Sequence, residues 1–187
     1  KNKFKPSNDL ERAARWFYLN RTSYSGIMNV KNCYWGYGDK YSMRPENWRR
    51  HVLRCSKKLQ GVRITCYDFE YVIDRVADHA FLFVDPPYFN RDQDKFYTFT
   101  LPRKDHKRLA RTLKRHNDRI KFLLTYDDDA EVRKMYSWAV DILSKEWNCT
   151  INRTDDQTGR TKVKGKRYKG KEIFILNYKS FEQTKLA

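Results

Sequence analysis

Apolar side chains recur along this chain with two alternating periods, one helical and one typical of strands. Residues 9–20 have helical spacing, and Asn8 followed three positions later by Glu11 is typical of a helix N-terminus. The helical period predicts further helices that begin at Pro45 and that occupy residues 68–76, 104–117 and 130–138. Short apolar runs predict strands at residues 62–66, 80–84, 121–126, 140–148 and 172–178.

The order of these elements indicates the fold class. Strands alternate with helices from residue 62 onward, which predicts an α/β fold with a mostly parallel sheet. The run at residues 80–84 is continuously apolar and therefore predicts a strand that is buried on both faces. Residues 24–41, rich in Tyr, Trp, Gly and Asn, are predicted to form loops or a small hairpin.

Length and charge narrow the class of protein. A chain of 187 residues has the length of one domain, and its 16% of aromatic residues provide enough large side chains for a hydrophobic core. The net charge of +17 indicates a polyanionic partner, with nucleic acid favoured over an anionic membrane surface. Because no apolar run approaches the ~18 residues of a membrane span, we expect no membrane segment and no signal peptide.

Cysteine, histidine and glycine patterns exclude several kinds of site. The four cysteines (Cys33, Cys55, Cys66 and Cys149) form no Cys-x-x-Cys pair, and the histidines have no ligand spacing. We therefore expect reduced thiols, a cytoplasmic location and no metal. No glycine-rich phosphate loop is present, which excludes a P-loop nucleotidase.

The candidate chemistry lies where the run at residues 80–84 ends. The following residues are Asp85, Pro86, Pro87 and Tyr88. Both prolines fix the backbone and lack an N–H group, so the carbonyls of this loop can only accept hydrogen bonds. A carboxylate beside a carbonyl suits an amino group with two hydrogens, and the tyrosine suits a planar base. In open α/β sheets ligands bind beyond the carboxyl ends of the strands, and residues 85–88 follow directly after such an end.

Asp-Pro-Pro-Tyr after an apolar strand resembles the catalytic motif of methyltransferases that act on adenine N6. Other segments resemble the DNA adenine methylase (Dam-type) family, in the family's order along the chain. They are Tyr-Leu-Asn-Arg-Thr-Ser-Tyr-Ser-Gly at residues 18–26, Ile-Thr-Cys-Tyr-Asp-Phe at residues 64–69, Phe-Thr-Leu at residues 99–101, and residues 122–127. The resemblance extends from about residue 9 to residue 180.

The resemblance implies a Rossmann-like methyltransferase sheet, of which this chain would hold the last five of seven strands, with a small helical or hairpin DNA-recognition insertion. Residues 1–60 would form the recognition region and residues 61–187 a partial catalytic core. The family's N-terminal donor-binding helix and Phe-x-Gly-x-Gly loop have no counterpart in this sequence. We therefore expect a separate or cleaved N-terminal segment to complete the fold.

The activity implied is site-specific adenine-N6 methylation of double-stranded DNA, of the kind found in restriction–modification systems of bacteria, archaea or phage-infected cells. The methyl group would pass directly from S-adenosylmethionine to an adenine flipped out of the duplex, without a metal. Asp85 and the Pro86 carbonyl would accept hydrogen bonds from N6, Pro87 would stiffen the loop, and Tyr88 would stack on the base. Asp68, Phe69 and Asp85 would contact the donor.

DNA contacts are implied in two segments. The first contains Asn20, Arg21, Tyr24, Ser25 and Asn29, with Tyr24 at the position of the family's intercalating aromatic. Ser25 and Asn29 replace the family's Asn and base-reading Arg. In the second segment, residues 159–171 carry seven basic residues and no acid, and phosphate contacts are expected from Lys164, Lys166 and Arg167.

The basic residues of the predicted helix at 104–117 are interpreted as a solvated face; they are Lys104, Lys107, Arg108, Arg111 and Arg115. Two alternatives to the function stay open. One is a non-catalytic DNA-binding remnant, and the other is an RNA or cytosine-N4 methyltransferase. Asp rather than Ser at position 85 disfavours cytosine-N4.

Overall fold

The computed structural model describes residues 4–23, 26–27, 35–38, 42–89, 100–148 and 169–180. These residues belong to two compact units. One unit is drawn from Lys1–Cys66 and Asp92–Thr100, and the other from Tyr67–Arg91 and Leu101–Ala187.

The first unit contains helices α1 (Asp9–Thr22) and α2 (Trp48–Lys58), the latter preceded by a 3₁₀ turn, Pro45–Asn47. Asn8 caps α1 through its side-chain oxygen, which accepts the Glu11 N–H at 2.9 Å. Trp48 begins α2 and its ring meets the ring of Phe17 edge-on, with the centroids 5.5 Å apart. The predicted helices at 9–20 and from Pro45 are therefore confirmed.

The second unit is a four-stranded sheet with three described helices, which confirms the α/β class. Its strands are β1 (Phe81–Val84), β2 (Lys121–Asp127), β3 (Asp141–Asn148) and β4 (Lys169–Leu176). Its helices are α3 (Phe69–Arg75), α4 (Arg103–Arg115) and α5 (Ala130–Met135). The strand order is β1-β2-β4-β3.

The described sheet is mixed: β1, β2 and β3 run in the same direction, as the prediction of a mostly parallel sheet requires, and β4 runs opposite to them. Strands β1 and β2 pair in parallel, but β4 is antiparallel to both β2 and β3. The sequence between β3 and β4 contains no predicted helix that could carry the chain back across the sheet. A parallel pair needs such a crossover, so these two strands pair antiparallel.

The core lies on β2, β4 and one face of α4. Phe122, Leu124 and Tyr126 of β2 are fully buried, and they share one apolar cluster with Leu109 and Leu113 of α4. Leu109 and Leu113 are one helical turn apart, as the predicted amphipathic helix requires. This cluster fixes β2 and thereby the neighbouring β1, at whose end the candidate site begins.

The predicted strand at residues 62–66 is wrong. Residues 62–68 form neither helix nor strand, and the side chain of Ile64 is 73% exposed. A strand needs a neighbour for its backbone N–H and C=O groups. No described strand pairs with this segment, so four of the five expected strands are observed.

The prediction that residues 80–84 are buried on both faces is also wrong. Strand β1 lies at the edge of the described sheet, and Phe81 and Phe83 are 57% and 66% exposed. Only the other face, with Leu82 and Val84, packs against the core. An apolar run reports which side chains are hydrophobic, but burial also requires an element that covers them.

Candidate active site

The loop after β1 is aligned with β2 by the register of the parallel pair. Val84 is opposite Leu124, so the next residues, Asp85 and Thr125, are neighbours. The Thr125 hydroxyl donates to Asp85 Oδ1 at 2.5 Å. Asp85 is exposed, and its second carboxylate oxygen, Oδ2, has no hydrogen-bond partner among the described residues. The carboxylate is therefore held in one orientation while an oxygen stays available to a ligand.

The other end of this loop is held by Asp127, the last residue of β2. Its nearly buried carboxylate accepts the backbone N–H of Phe89 at 3.0 Å. Pro86, Pro87 and Tyr88 lie between the two anchors and are half-buried. The four residues of the predicted catalytic motif thus form one loop, fixed at its start by Thr125 and just after its end by Asp127.

A buried histidine–tyrosine pair packs beneath the loop. His106 Nδ1 and the Tyr126 hydroxyl are 2.6 Å apart, and the Phe89 ring meets the His106 ring edge-on at 5.1 Å. Burial lowers the pKa of His106 and raises the pKa of Tyr126. Both side chains are therefore neutral at neutral pH, and they support Phe89 without placing a charge beneath the loop.

The predicted donor-contacting residues lie at the start of α3. Asp68 caps this helix by accepting the Glu70 N–H at 2.9 Å. Its carboxylate also accepts two hydrogen bonds from Arg108, from Nη1 at 2.7 Å and from Nη2 at 2.8 Å. The Arg108 guanidinium lies 4.1 Å from the centroid of the Phe69 ring. Arg108 of α4 thus orients both residues, and its hydrogen bonds lower the pKa of Asp68 to about 2.

The interpretation of the α4 cations as a solvated face is wrong for Arg108 and Arg115. Arg108 also pairs with Glu70 and Asp105, and Arg115 pairs with Glu70 and Asp74. These carboxylates come from α3 and from the first turn of α4, where they face the two arginines. The network joins the two helices, so a large part of the charge on α4 is structural.

Acid should loosen this α3–α4 network. The pKa values of Asp68, Glu70 and Asp74 are all lowered, mainly by hydrogen bonds from Arg108 or Arg115. A lowered carboxyl pKa contributes stability above the unfolded-state pKa, and that contribution is lost as pH falls through the folded-state pKa. We expect the melting temperature to fall between about pH 4.5 and pH 2, as measured by circular dichroism. An Arg108→Gln variant should show a shallower fall, and an unchanged pH dependence would contradict the assignment.

Two predicted DNA contacts, Asn20 and Arg21, lie in the last turn of α1. Asn20 Nδ2 donates to the Gly26 carbonyl at 3.3 Å, and Arg21 Nε donates to Asn20 Oδ1 at 3.1 Å. Gly26 has φ +70°, which favours glycine, and a Cβ there would lie 3.2 Å from Asn20 Nδ2. In this structure the two side chains hold the local turn. The other predicted contacts lie outside the described residues; they are Tyr24, Ser25, Asn29, Lys164, Lys166 and Arg167.

Sequence reasoning missed Thr125, Asp127 and the role of Arg108. The chain matched the family's pattern at residues 122–127, but that match assigned no role to either side chain. The sequence did contain a signal for Thr125 and Asp127: both are polar residues at the end of the strand that follows β1 along the chain, and ligands bind beyond such strand ends.

No group of three or more His, Cys, Asp or Glu residues that could hold a metal is found among the described residues. None of the helices in that part of the chain has the length and apolar character that a membrane crossing requires.

Comparisons with known proteins identify a family for this chain. A family model described as D12 class N6 adenine-specific DNA methyltransferase matches residues 1–151. The Type II methyltransferase M.MjaIII of Methanocaldococcus jannaschii is 31% identical over 86 residues. That alignment covers 43% of this chain and 29% of the relative, so less than a third of the relative's length is matched.

Proposed function

The chain belongs to the D12 class of N6 adenine-specific DNA methyltransferases, and from this membership we propose that it methylates adenine N6 in double-stranded DNA. The methyl donor is S-adenosylmethionine. The observation that carries the proposal is the loop from Asp85 to Phe89, which Thr125 and Asp127 hold from the neighbouring strand. Such a fixed loop can present a carboxylate and a carbonyl to one amino group.

Asp85 and Pro86 act on the nucleophile. Adenine N6 is weakly nucleophilic because its lone pair is delocalised into the ring. One N6 hydrogen is donated to Asp85 Oδ2 and the other to the Pro86 carbonyl, so that electron density at N6 rises as the N–CH3 bond forms and the S–CH3 bond of the donor breaks. N6 then loses one proton, which passes by way of Asp85 Oδ2 to solvent. When bound, S-adenosylmethionine supplies an electrophilic methyl group on its sulfonium. Thr125 keeps Asp85 Oδ1 occupied and the carboxylate aligned, while Tyr88 stacks on the base.

Asp68 and Phe69 serve the adenine of the donor. The Asp68 side chain is 49% exposed, so its carboxylate can accept a further hydrogen bond from the donor's amino group. The Phe69 ring is half-buried against the apolar core and lies beside the Arg108 guanidinium, and its exposed part can contact the base. Asp68 and Phe69 therefore suit the adenine of the donor, and Arg108 positions both side chains.

DNA enters with the target base rotated out of the helix, because the loop cannot reach N6 inside a duplex. Flipping costs roughly a few kcal/mol. We assign recognition to residues 1–60 and catalysis to residues 61–187. Tyr24 fills the space left by the flipped base beside Asn20, Arg21, Ser25 and Asn29, while Lys164, Lys166 and Arg167 contact phosphates. The protein works in the cytoplasm of a bacterial, archaeal or phage-infected cell.

The product nucleoside tests the proposed function. The full-length protein is incubated with duplex DNA and S-adenosylmethionine labelled in the methyl group, and the DNA is digested to nucleosides. We expect the label in N6-methyldeoxyadenosine. Label in N4-methyldeoxycytidine, or in RNA alone, would contradict the adenine assignment. DNA binding without any incorporated label would favour a non-catalytic DNA-binding remnant.

A further inference from the structure

Helix α2 presents two different halves to its surroundings. Successive residues of an α-helix are 100° apart, so its five cations fall on one half of the circumference. These residues are the α2 basic face: Arg49, Arg50, Arg54, Lys57 and Lys58, all of them exposed. The opposite half carries His51, Val52, Cys55 and Ser56, which line a groove against α1 together with Trp16 and Phe17. One half of α2 thus faces its own unit, and the other half offers positive charge outward.

The α2 basic face lacks the ion pairs found on α4. Arg108 and Arg115 of α4 each meet at least two carboxylates. Helix α2 itself contains no acidic residue, and none of the described carboxylates forms a salt bridge with its five cations. Within the described part of the chain, the hydrogen bond of Arg50 goes to a neutral group, the Asn47 side chain, at 3.0 Å. Like charges three and four residues apart destabilise a helix, so an anionic partner would stabilise this one.

The α2 basic face also borders a shallow groove of about 460 Å³. Arg49, Arg50, Arg54 and Lys57 line it, together with Leu53 and one carboxylate, Glu46. Three of the five cations of the face are arginines, whose planar forks bind phosphate oxygens in pairs. On α4 the exposed cations without a salt bridge among the described residues are mostly lysines; they are Lys104, Lys107, Arg111 and Lys114.

We propose that the α2 basic face binds the sugar–phosphate backbone of duplex DNA. The inference rests on the proposed function, which makes duplex DNA the substrate. Helix α2 has 11 residues and is about 16 Å long, while one DNA strand presents a phosphate about every 3.4 Å along the axis. The face can therefore meet up to roughly four or five phosphates of one strand. These contacts hold the duplex without reading its sequence.

The salt dependence of DNA binding tests this surface. The variant combines Arg50→Gln, Arg54→Gln and Lys57→Gln in the full-length protein. Each lost phosphate contact reduces the slope of log affinity against log salt by about 0.9, so we expect a slope reduction of about 2–3. We also expect affinity at least ~10-fold weaker at physiological salt. The measurement is fluorescence anisotropy with a labelled duplex, without donor, over a range of salt concentrations.

The matched control removes the same charge from α4 through Lys104→Gln, Lys107→Gln and Arg111→Gln. It should leave the slope within about one unit of the wild-type slope. Equal slope changes in the two triple variants would overturn the proposal, because only overall charge would then matter. The single variant Arg54→Gln should lower the slope by about one and repeats the test with the smallest change to the helix. A thermal melt checks that each variant is folded.

The remaining outcomes separate this inference from the proposed function. Wild-type methylation of adenine with an unchanged salt slope in the α2 triple variant would overturn this inference alone. A wild-type protein that binds no duplex DNA would overturn the proposed function and, with it, this inference. Tighter wild-type binding to phosphatidylserine vesicles than to duplex DNA at the same salt would assign the face to a membrane surface and overturn the DNA assignment.

Discussion

Asp85→Ala is expected to slow methyl transfer by ~10²-fold or more while DNA affinity changes far less. The substitution removes the acceptor that faces N6 as positive charge develops there, and the remaining Pro86 carbonyl can bind only one of the two hydrogens. The measurement is a single-turnover rate with saturating duplex DNA and donor. Wild-type turnover by this variant would show that Asp85 has no part in the reaction.

Asp85→Asn separates the missing acceptor from a damaged loop. The asparagine keeps an oxygen that can accept from the Thr125 hydroxyl, but it has lost the negative charge and carries an amino group. We expect a rate loss of the same order with an unchanged melting temperature. The matched control is Asp128→Asn, which neutralises the carboxylate that pairs with Arg133 directly after β2. That variant should retain wild-type turnover.

The parts of the fold that the sequence predicted well are those fixed by local contacts. Helix α1 follows from its capping residues, and α4 follows from apolar positions one turn apart, because both signals act within a few residues. The strand at residues 62–66 had the same apolar signal as the others but has no described neighbour. The exposure of Phe81 and Phe83 was unpredictable for the same reason, since burial depends on elements distant in sequence.

The candidate site was predicted only in part. Its motif is contiguous, so residues 85–88 could be identified from their order alone. The residues that hold the site are distant in sequence: Thr125 is 40 residues from Asp85, Asp127 is 38 from Phe89, and Arg108 is 40 from Asp68. Their contacts depend on the register of β1 with β2 and on the position of α4 against α3. Neither quantity is encoded in residue spacing.

The most informative of these distant contacts is the one between Asp127 and Phe89. Sequence resemblance gave Asp127 no role, whereas its carboxylate accepts the N–H that ends the candidate catalytic loop. Phe89 is buried, so no water can readily replace that acceptor. A variant at this position therefore tests whether the geometry of the loop, apart from its motif residues, controls the reaction.

Asp127→Ala should leave the Phe89 N–H buried without a partner, at a cost of ~1–3 kcal/mol. If this cost raises the barrier of the reaction in full, methyl transfer becomes ~5- to ~150-fold slower. Asp127→Asn retains an oxygen at the same position and should keep the rate within about threefold, because the N–H is still paired. Single-turnover rates and thermal melts of both variants separate loop position from overall stability. An alanine variant as fast as wild type, or an asparagine variant as slow as the alanine variant, would show that this hydrogen bond does not hold the loop for catalysis.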